Sequence, residues 1–153
     1  MTDTEYMKVA LTLAKEAAER DEVPVGAVIV DRNGNIISSG SNKKEEKNCA
    51  VRHAEIEAIE KACSAINNWW LEDMAMYVTM EPCPMCAGAI INSRLKRLVY
   101  GAYDEKAGAA GTKINLFEKG LFNHNVEVSG GVLKDECAAI LSEFFKKKRI
   151  KKQ

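Results

Sequence analysis

The hydrophobic pattern of this chain changes between a helical period and short apolar runs. Near the amino end, Met7, Leu11 and Ala14 fall three or four residues apart with charged residues between them, which is typical of an amphipathic helix. Similar spacing recurs twice later in the chain, and the prolines at 82 and 84 favour another helix start. Helices are therefore predicted over residues 4–19, 53–65, 84–92 and 135–148.

Short apolar runs between these helices predict strands. The run 26–30 suits a buried strand, and Asn33-Gly34 favours a tight hairpin turn into a second strand. Strands are predicted over 26–30, 36–39, 76–79, 98–101 and 126–128, with a polar loop over 41–52. Because helix and strand alternate after the hairpin, the pattern predicts one α/β domain over residues 1–153, with a mixed sheet packed between helices.

Composition and charge limit the classes of function that this chain can have, but they do not identify one. The 153 residues are 46% hydrophobic and 29% charged with a formal net charge of zero, so the overall charge predicts no nucleic-acid partner. Residues 146–153, however, carry six basic side chains and no acid. No apolar run approaches the ~20 residues that span a bilayer, and the polar residues 1–5 do not resemble a signal peptide, so we expect a cytoplasmic protein.

Two short motifs supply candidate metal chemistry. His53-Ala54-Glu55 is followed later by a Pro-Cys-x-x-Cys motif that contains Cys83 and Cys86. Cysteines three apart on the first turn of a helix place both sulfurs on one face, and the electropositive helix end favours the thiolates that bind metal. One imidazole and two thiolates suit a catalytic zinc ion with an open position. Glu55, two residues from His53 on a helix, points elsewhere and remains free for proton transfer.

Two other interpretations of these motifs remain open. A Cys-x-x-Cys pair also occurs in thioredoxin-like redox sites, although His53 and Glu55 would then have no role. Alternatively, Cys49 lies four residues before His53 and could complete a structural zinc site as a fourth ligand.

The motifs resemble the signature of the zinc-dependent cytidine and adenosine deaminases. The resemblance extends over nearly the whole chain and is specific to the bacterial tRNA adenosine deaminases. It is carried by segments 22–28, 77–90, 100–102, 106–111, 122–124, 131–133, 136–139 and 144–145 and by the basic tail.

The resemblance implies a cytidine-deaminase-like three-layer α/β/α fold with a five-stranded mixed sheet flanked by helices. It also implies a homodimer that converts adenosine to inosine at the wobble position of a tRNA anticodon. By the same match, His53, Cys83 and Cys86 would hold one Zn²⁺, and Glu55 would shuttle a proton from a zinc-activated water.

The match to the family also implies residues that bind the substrate. Asn42 would contact the flipped base, with Val25 and the backbone of Ala54 beside it. Further residues fall in segments that border the RNA in the family, namely Asp104, Lys106, Asn123, Phe144, Phe145 and Arg149.

One segment departs from the family pattern. Many members have Asp-Pro-x-Ala before His-Ala-Glu, whereas this chain has Asn48-Cys49-Ala50-Val51-Arg52. Because this loop could help to define the substrate, a deaminase of free guanine, cytosine or cytidine is an alternative function. A zinc-stabilised binding module without catalysis is a second alternative, although such a module would not need Glu55.

Overall fold

A computed structural model of the protein describes residues 1–151, and the last two residues of the basic tail lie outside it. The secondary structure follows the predicted order, beginning with a helix and a hairpin. The helices are α1 (Asp3–Glu19), α2 (Ala54–Ile66), α3 (Pro84–Asn92) and α4 (Lys134–Lys151), and the strands are β1 (Gly26–Val30), β2 (Ile36–Ser41), β3 (Ala75–Met80), β4 (Arg97–Ala102) and β5 (Glu127–Ser129).

The strands form one mixed sheet in the order β2-β1-β3-β4-β5. Strand β1 is antiparallel to both of its neighbours, β2 and β3. Strands β3, β4 and β5 are parallel to one another, which requires the crossover connections that α3 and the segment after β4 provide. The predicted five-stranded mixed sheet is confirmed.

Helices cover both faces of the sheet because successive strand residues point to opposite sides. On β1, Ala27 and Ile29 pack with the apolar side chains of α2 and α3. Val28 and Val30 point the other way and pack with those of α1 and α4. The three-layer α/β/α arrangement is therefore confirmed, with one hydrophobic core on each side of the sheet.

Strand β2 is longer than its sequence suggests, and it determines where α2 lies. The strand was expected to end at residue 39, but it continues to Ser41. Its polar residues are accommodated because the Ser38 hydroxyl donates a hydrogen bond of 2.8 Å to the Ala58 carbonyl of α2. Gly40 lies so close to the first turn of α2 that a Cβ atom there would collide with the Ala54 carbonyl oxygen. Small residues in β2 thus allow the start of α2 to lie directly on the sheet.

Among residues 1–151, no helix combines the length and the apolar character that crossing a bilayer requires.

Candidate active site

The three predicted metal ligands lie where two helices begin. His53 is the N-cap of α2, in an extended conformation with φ −76° and ψ 157°, and its side chain makes no capping hydrogen bond. Cys83 is the N-cap of α3, Pro84 begins that helix, and Cys86 lies in its first turn. Because α2 and α3 pack on the same side of the sheet, the two N-termini meet at one point.

The distances between the ligand atoms fit a tetrahedral metal site. The Nδ1 atom of His53 is 3.8 Å from Cys83 Sγ and 3.5 Å from Cys86 Sγ. A tetrahedral zinc ion with ordinary Zn–N and Zn–S bonds separates nitrogen and sulfur by about 3.6 Å. The ligand atoms of all three residues lie within 4.8 Å of one another. The residues are therefore already arranged as three corners of a tetrahedron, and they can hold a metal.

The two sulfurs interact strongly with each other. The hydrogen bond from the Cys86 thiol, followed by that from His53, lowers the pKa of Cys83 to about 4. The same interaction with Cys83, together with burial, raises the pKa of the Cys86 thiol. The hydrogen bond to Cys83 raises the pKa of His53 as well. Cys83 is therefore a thiolate at neutral pH, which is the form that binds metal.

Cys49 does not join this group. In the described part of the chain, the cluster of possible metal ligands contains His53, Cys83 and Cys86, without Cys49. A fourth protein ligand from the loop before α2 is therefore not in place. Three protein ligands and an open position are the arrangement of catalytic zinc sites rather than structural ones.

Glu55 lies beside the ligands without being one of them. It occupies the first turn of α2, its side chain is buried, and it is not part of the ligand cluster. Burial raises the pKa of Glu55 to about 7. A carboxyl group with this pKa can both accept and donate a proton at neutral pH.

A cavity of about 160 Å³ opens beside these residues and brings several predicted substrate contacts together. His53, Cys83 and Glu55 form one side of the cavity. The predicted base contacts Val25, Asn42 and Ala54 line it as well, together with Asp104. Asn42 is 5% exposed, so its side chain is held in place by the surrounding protein.

A second cavity of about 410 Å³ adjoins the first. Val23, Asn42 and Lys44 line both cavities. Of these two cavities, Phe144 and Phe145 of α4 line only the second. Phe144 is buried and Phe145 is 41% exposed, so one ring belongs to the core and its neighbour faces solvent. The outward ring of Phe145 is therefore available to a ligand that extends from the first cavity.

Three predicted contacts lie away from both cavities. Lys106 is exposed on the loop after β4, where its amide donates to the Asp104 side chain. Arg149 is exposed near the end of α4, and Asn123 lines a separate polar cavity with Trp70 and Arg94. The roles assigned to these three residues stay predictions.

Sequence reasoning missed two buried acids beside the site. Glu22 is 1% exposed, and its carboxylate accepts hydrogen bonds from the amides of Glu45 and Glu46. Glu81 is 2% exposed and binds the loop after β4. In the sequence both look like ordinary surface acids, and the only indication of their role is their position next to the motifs.

The segment that departs from the family pattern is fixed by an ion pair. The guanidinium of Arg52 makes two hydrogen bonds to the Glu60 carboxylate, of 2.6 and 3.0 Å. The Arg52 side chain therefore points along the outside of α2 and does not line the cavity. The cation holds the residue before His53 against the helix, and its side chain is not part of the cavity lining.

The whole chain is similar to known deaminases. The model of the MafB19-like deaminase family matches residues 1–149. The tRNA-specific adenosine deaminase of Bacillus subtilis (strain 168) is 49% identical over 154 residues, which cover 100% of this chain and 95% of that protein.

Solved structures show the same relationship. A structure from a study of A-to-I editing by tRNA:A34 deaminases superposes with a TM-score of 0.86 at 43% identity, and covers 90% of this chain and 99% of its own. The guanine deaminase from Nitrosomonas europaea has a TM-score of 0.82 at 26% identity, and covers 92% and 83% of the two chains. Both structures share the fold of this chain, and the sequence is more similar to that of the tRNA:A34 deaminase study than to the guanine deaminase.

Proposed function

The chain belongs to the MafB19-like deaminases and to the tRNA-specific adenosine deaminases, and from this premise we propose that it converts adenosine to inosine at the wobble position of a tRNA anticodon. One observation carries the proposal: in a chain with such full-length relatives, buried Glu55 lines the same cavity as the candidate metal ligands and Asn42. We propose that the whole chain acts as one hydrolytic deaminase domain.

We propose that one zinc ion per chain is the cofactor, held by His53 Nδ1 and the sulfurs of Cys83 and Cys86. The mixed nitrogen and sulfur donor set and the 3.5 and 3.8 Å separations support this metal. Bound there, zinc would activate a water molecule for attack on the ring carbon that carries the amine.

Residues of the chain supply the proton transfers and hold the base. As the water oxygen bonds to C6, the Glu55 carboxylate accepts one proton of the water and delivers it to ring nitrogen N1. It then takes the second proton from the new hydroxyl on C6 and passes it to the amine, so that the C6–N bond breaks, ammonia leaves and inosine remains. The Asn42 amide offers both a donor and an acceptor to the base edge. Val25 offers an apolar contact to the ring.

An anticodon adenosine must leave its stack to enter this cavity, and this is easier in a loop than in a duplex. The second cavity supports an RNA substrate because it continues from the first and combines the exposed ring of Phe145 with Lys44. Lys148 in the same cavity is paired with Asp21 at 2.7 Å, so it would have to exchange that partner for a phosphate. Aromatic rings stack on bases, and lysines neutralise phosphates. We propose that Lys106, Asn123 and Arg149 add contacts farther along the RNA.

We also propose a cytoplasmic homodimer. A cytoplasmic location follows from a tRNA substrate. The dimer is supported by apolar side chains that remain exposed, including Trp69 at 60%, Trp70 at 46% and Met85 on α3 at 36%. Sedimentation equilibrium should give twice the chain mass of 16.9 kDa, and a mass of one chain would contradict the dimer.

The proposed function is tested by offering the purified protein an anticodon stem-loop with adenosine at the wobble position, and separately free adenosine, cytidine, cytosine and guanine. We expect inosine in the RNA and no turnover of the small substrates. Because the phosphate contacts are electrostatic, binding of the RNA should weaken steeply with added salt. Ammonia released from guanine or cytidine with the RNA unchanged would contradict the proposal.

Glu55→Ala provides the matched control. This variant removes the proton carrier and none of the metal ligands, so we expect about one zinc per chain and a rate reduced by 10²–10⁴-fold or more. Substantial activity in this variant would refute the role of Glu55.

A further inference from the structure

Glu81 is a buried carboxylate that the proposed chemistry does not use. It follows the last residue of β3 and precedes the Pro82-Cys83 ligand turn, and it is 2% exposed. A buried carboxylate is unfavourable unless hydrogen-bond donors surround it. The donors around Glu81 therefore show what the residue does.

All of the donors come from one loop, which follows β4 and spans residues 103–112. Oε1 accepts a hydrogen bond of 3.0 Å from the Asp104 amide and a short one from the Thr112 hydroxyl. Oε2 accepts from the amides of Ala110 and Thr112, at 3.0 and 3.1 Å. One side chain thus binds both ends of the loop that carries Asp104 and Lys106.

The main chain and a glycine make this contact close. The Glu81 amide donates to the Ala102 carbonyl at 2.8 Å, and the Ala109 amide donates to the Pro82 carbonyl at 2.9 Å. A Cβ atom on Gly108 would lie 2.6 Å from the Glu81 carboxylate, nearer than real Cβ contacts allow. The loop therefore packs closely against the Glu81 side chain.

We propose that Glu81 is a positioning residue that fixes the 103–112 loop beside the active-site cavity, so that Asp104 is in place before the substrate binds. Glu81 and Asp104 both line the cavity that contains Glu55, so the loop borders the space that the substrate would occupy. The expected change in enzyme kinetics rests on the proposed function, whereas the hydrogen bonds of Glu81 do not depend on that function.

The test is Glu81→Gln, followed by hydrogen exchange of the loop amides. A Gln side chain has one acceptor oxygen, so its NH2 group faces either the Ala110 and Thr112 amides or the Asp104 amide, while the Thr112 hydroxyl can turn to accept from that group. We expect exchange to accelerate about tenfold or more at the amides that face the NH2 group, either Ala110 and Thr112 or Asp104. With the stem-loop substrate, kcat/KM should fall by about tenfold, mainly through KM, while zinc content stays at one per chain.

A milder pair of variants keeps the proposal testable if Glu81→Gln does not fold. Thr112→Val removes one donor from the carboxylate, whereas Thr112→Ser keeps the hydroxyl. We expect faster loop exchange in the valine variant and wild-type exchange in the serine variant. Equal exchange in the two variants would overturn the proposal.

Glu22→Gln is the matched control for loss of a buried carboxylate. Its partners are the amides of Glu45 and Glu46, on the other side of the site. We expect faster exchange at whichever of those two amides faces the new NH2 group, and unchanged exchange over 103–112. Wild-type loop exchange in Glu81→Gln, or equal loop exchange in Glu22→Gln and Glu81→Gln, would refute the assignment. If the wild-type protein failed to deaminate RNA, the proposed function would fall, and the exchange data would still decide the role of Glu81.

Discussion

Gly40→Ala is expected to disturb the metal centre without altering a ligand. The added Cβ would lie 2.7 Å from the Ala58 amide nitrogen and 2.9 Å from Glu57 Cβ, and nearer still to the Ala54 carbonyl oxygen. Ordinary contact begins at 3.4 Å, so relief of the closest contact, with the Ala54 carbonyl oxygen, requires α2 and β2 to separate by about 1 Å. Two of the three obstructing groups are backbone, so rotation of a side chain cannot relieve the collision.

The expected losses of stability and of zinc affinity follow from where the shift occurs. Overpacking of a well-packed core costs about 1–3 kcal/mol, and in a chain of this length 1 kcal/mol lowers Tm by roughly 2–4 °C. The displaced residues include Ala54, which directly follows the ligand His53. Metal–ligand distances tolerate about 0.2 Å, so a shift of this size at the start of α2 should weaken zinc binding about 10–100-fold.

The assay is zinc affinity by competition with a chelator, together with thermal unfolding. Gly88→Ala is the control, because no atom lies within 4 Å of its added Cβ and the residue belongs to the other ligand-bearing helix, α3. That variant should keep wild-type zinc affinity and gain stability of about 0.5–1 kcal/mol, since alanine favours a helix over glycine. Wild-type zinc affinity in Gly40→Ala would refute the idea that close packing of β2 positions His53.

Three further predictions concern the metal, the core and pH. Cys86→Ser should abolish tight zinc binding, whereas Cys49→Ser should keep one zinc per chain by metal analysis, because Cys49 is outside the ligand cluster. Leu98→Ala should lower the free energy of unfolding in urea by about 2–5 kcal/mol, because the side chain is fully buried. The Arg97 guanidinium lowers the pKa of Asp3, so the half-exposed pair should add up to about 1 kcal/mol to the free energy of unfolding at pH values above the ordinary carboxyl pKa near 4. This contribution is lost as the pH falls through the lowered pKa of Asp3. Asp3→Asn should therefore be less stable than wild type at neutral pH and match it in acid.

The sheet and the clustering of His53, Cys83 and Cys86 could be predicted because both leave local patterns in the sequence. The short apolar runs of β1 and β3 indicate strands buried on both faces, and the Cys-x-x-Cys spacing indicates one turn of helix. The end of β2 could not be predicted, since Ser38, Gly40 and Ser41 lack the apolar pattern of a strand. Ser38 and Gly40 are buried because Ala54 and Ala58 of α2 lie directly over them, whereas Ser41 accepts a hydrogen bond from Arg20. That packing depends on residues far along the chain.

The buried acids could not be predicted for a related reason. Glu22 and Glu81 are satisfied by main-chain amides that lie 23–31 residues away, and every residue type except proline carries such an amide. No side-chain motif therefore marks the partner. The family resemblance predicts residues that touch the substrate, and it does not predict those that hold the loops in place.

Chemistry and substrate choice are carried by different parts of this structure. The ligands and Glu55 lie at the starts of α2 and α3, which are fixed by packing on the sheet. Asn42 and Lys44 follow β2 and Asp104 follows β4, all lining the first cavity, and Glu22 and Glu81 hold the loops after these strands through backbone amides. We expect loops held in this way to lose less entropy when the substrate binds. Exchanging the loop that Glu81 holds should therefore change which substrate is deaminated before it changes how much zinc is bound.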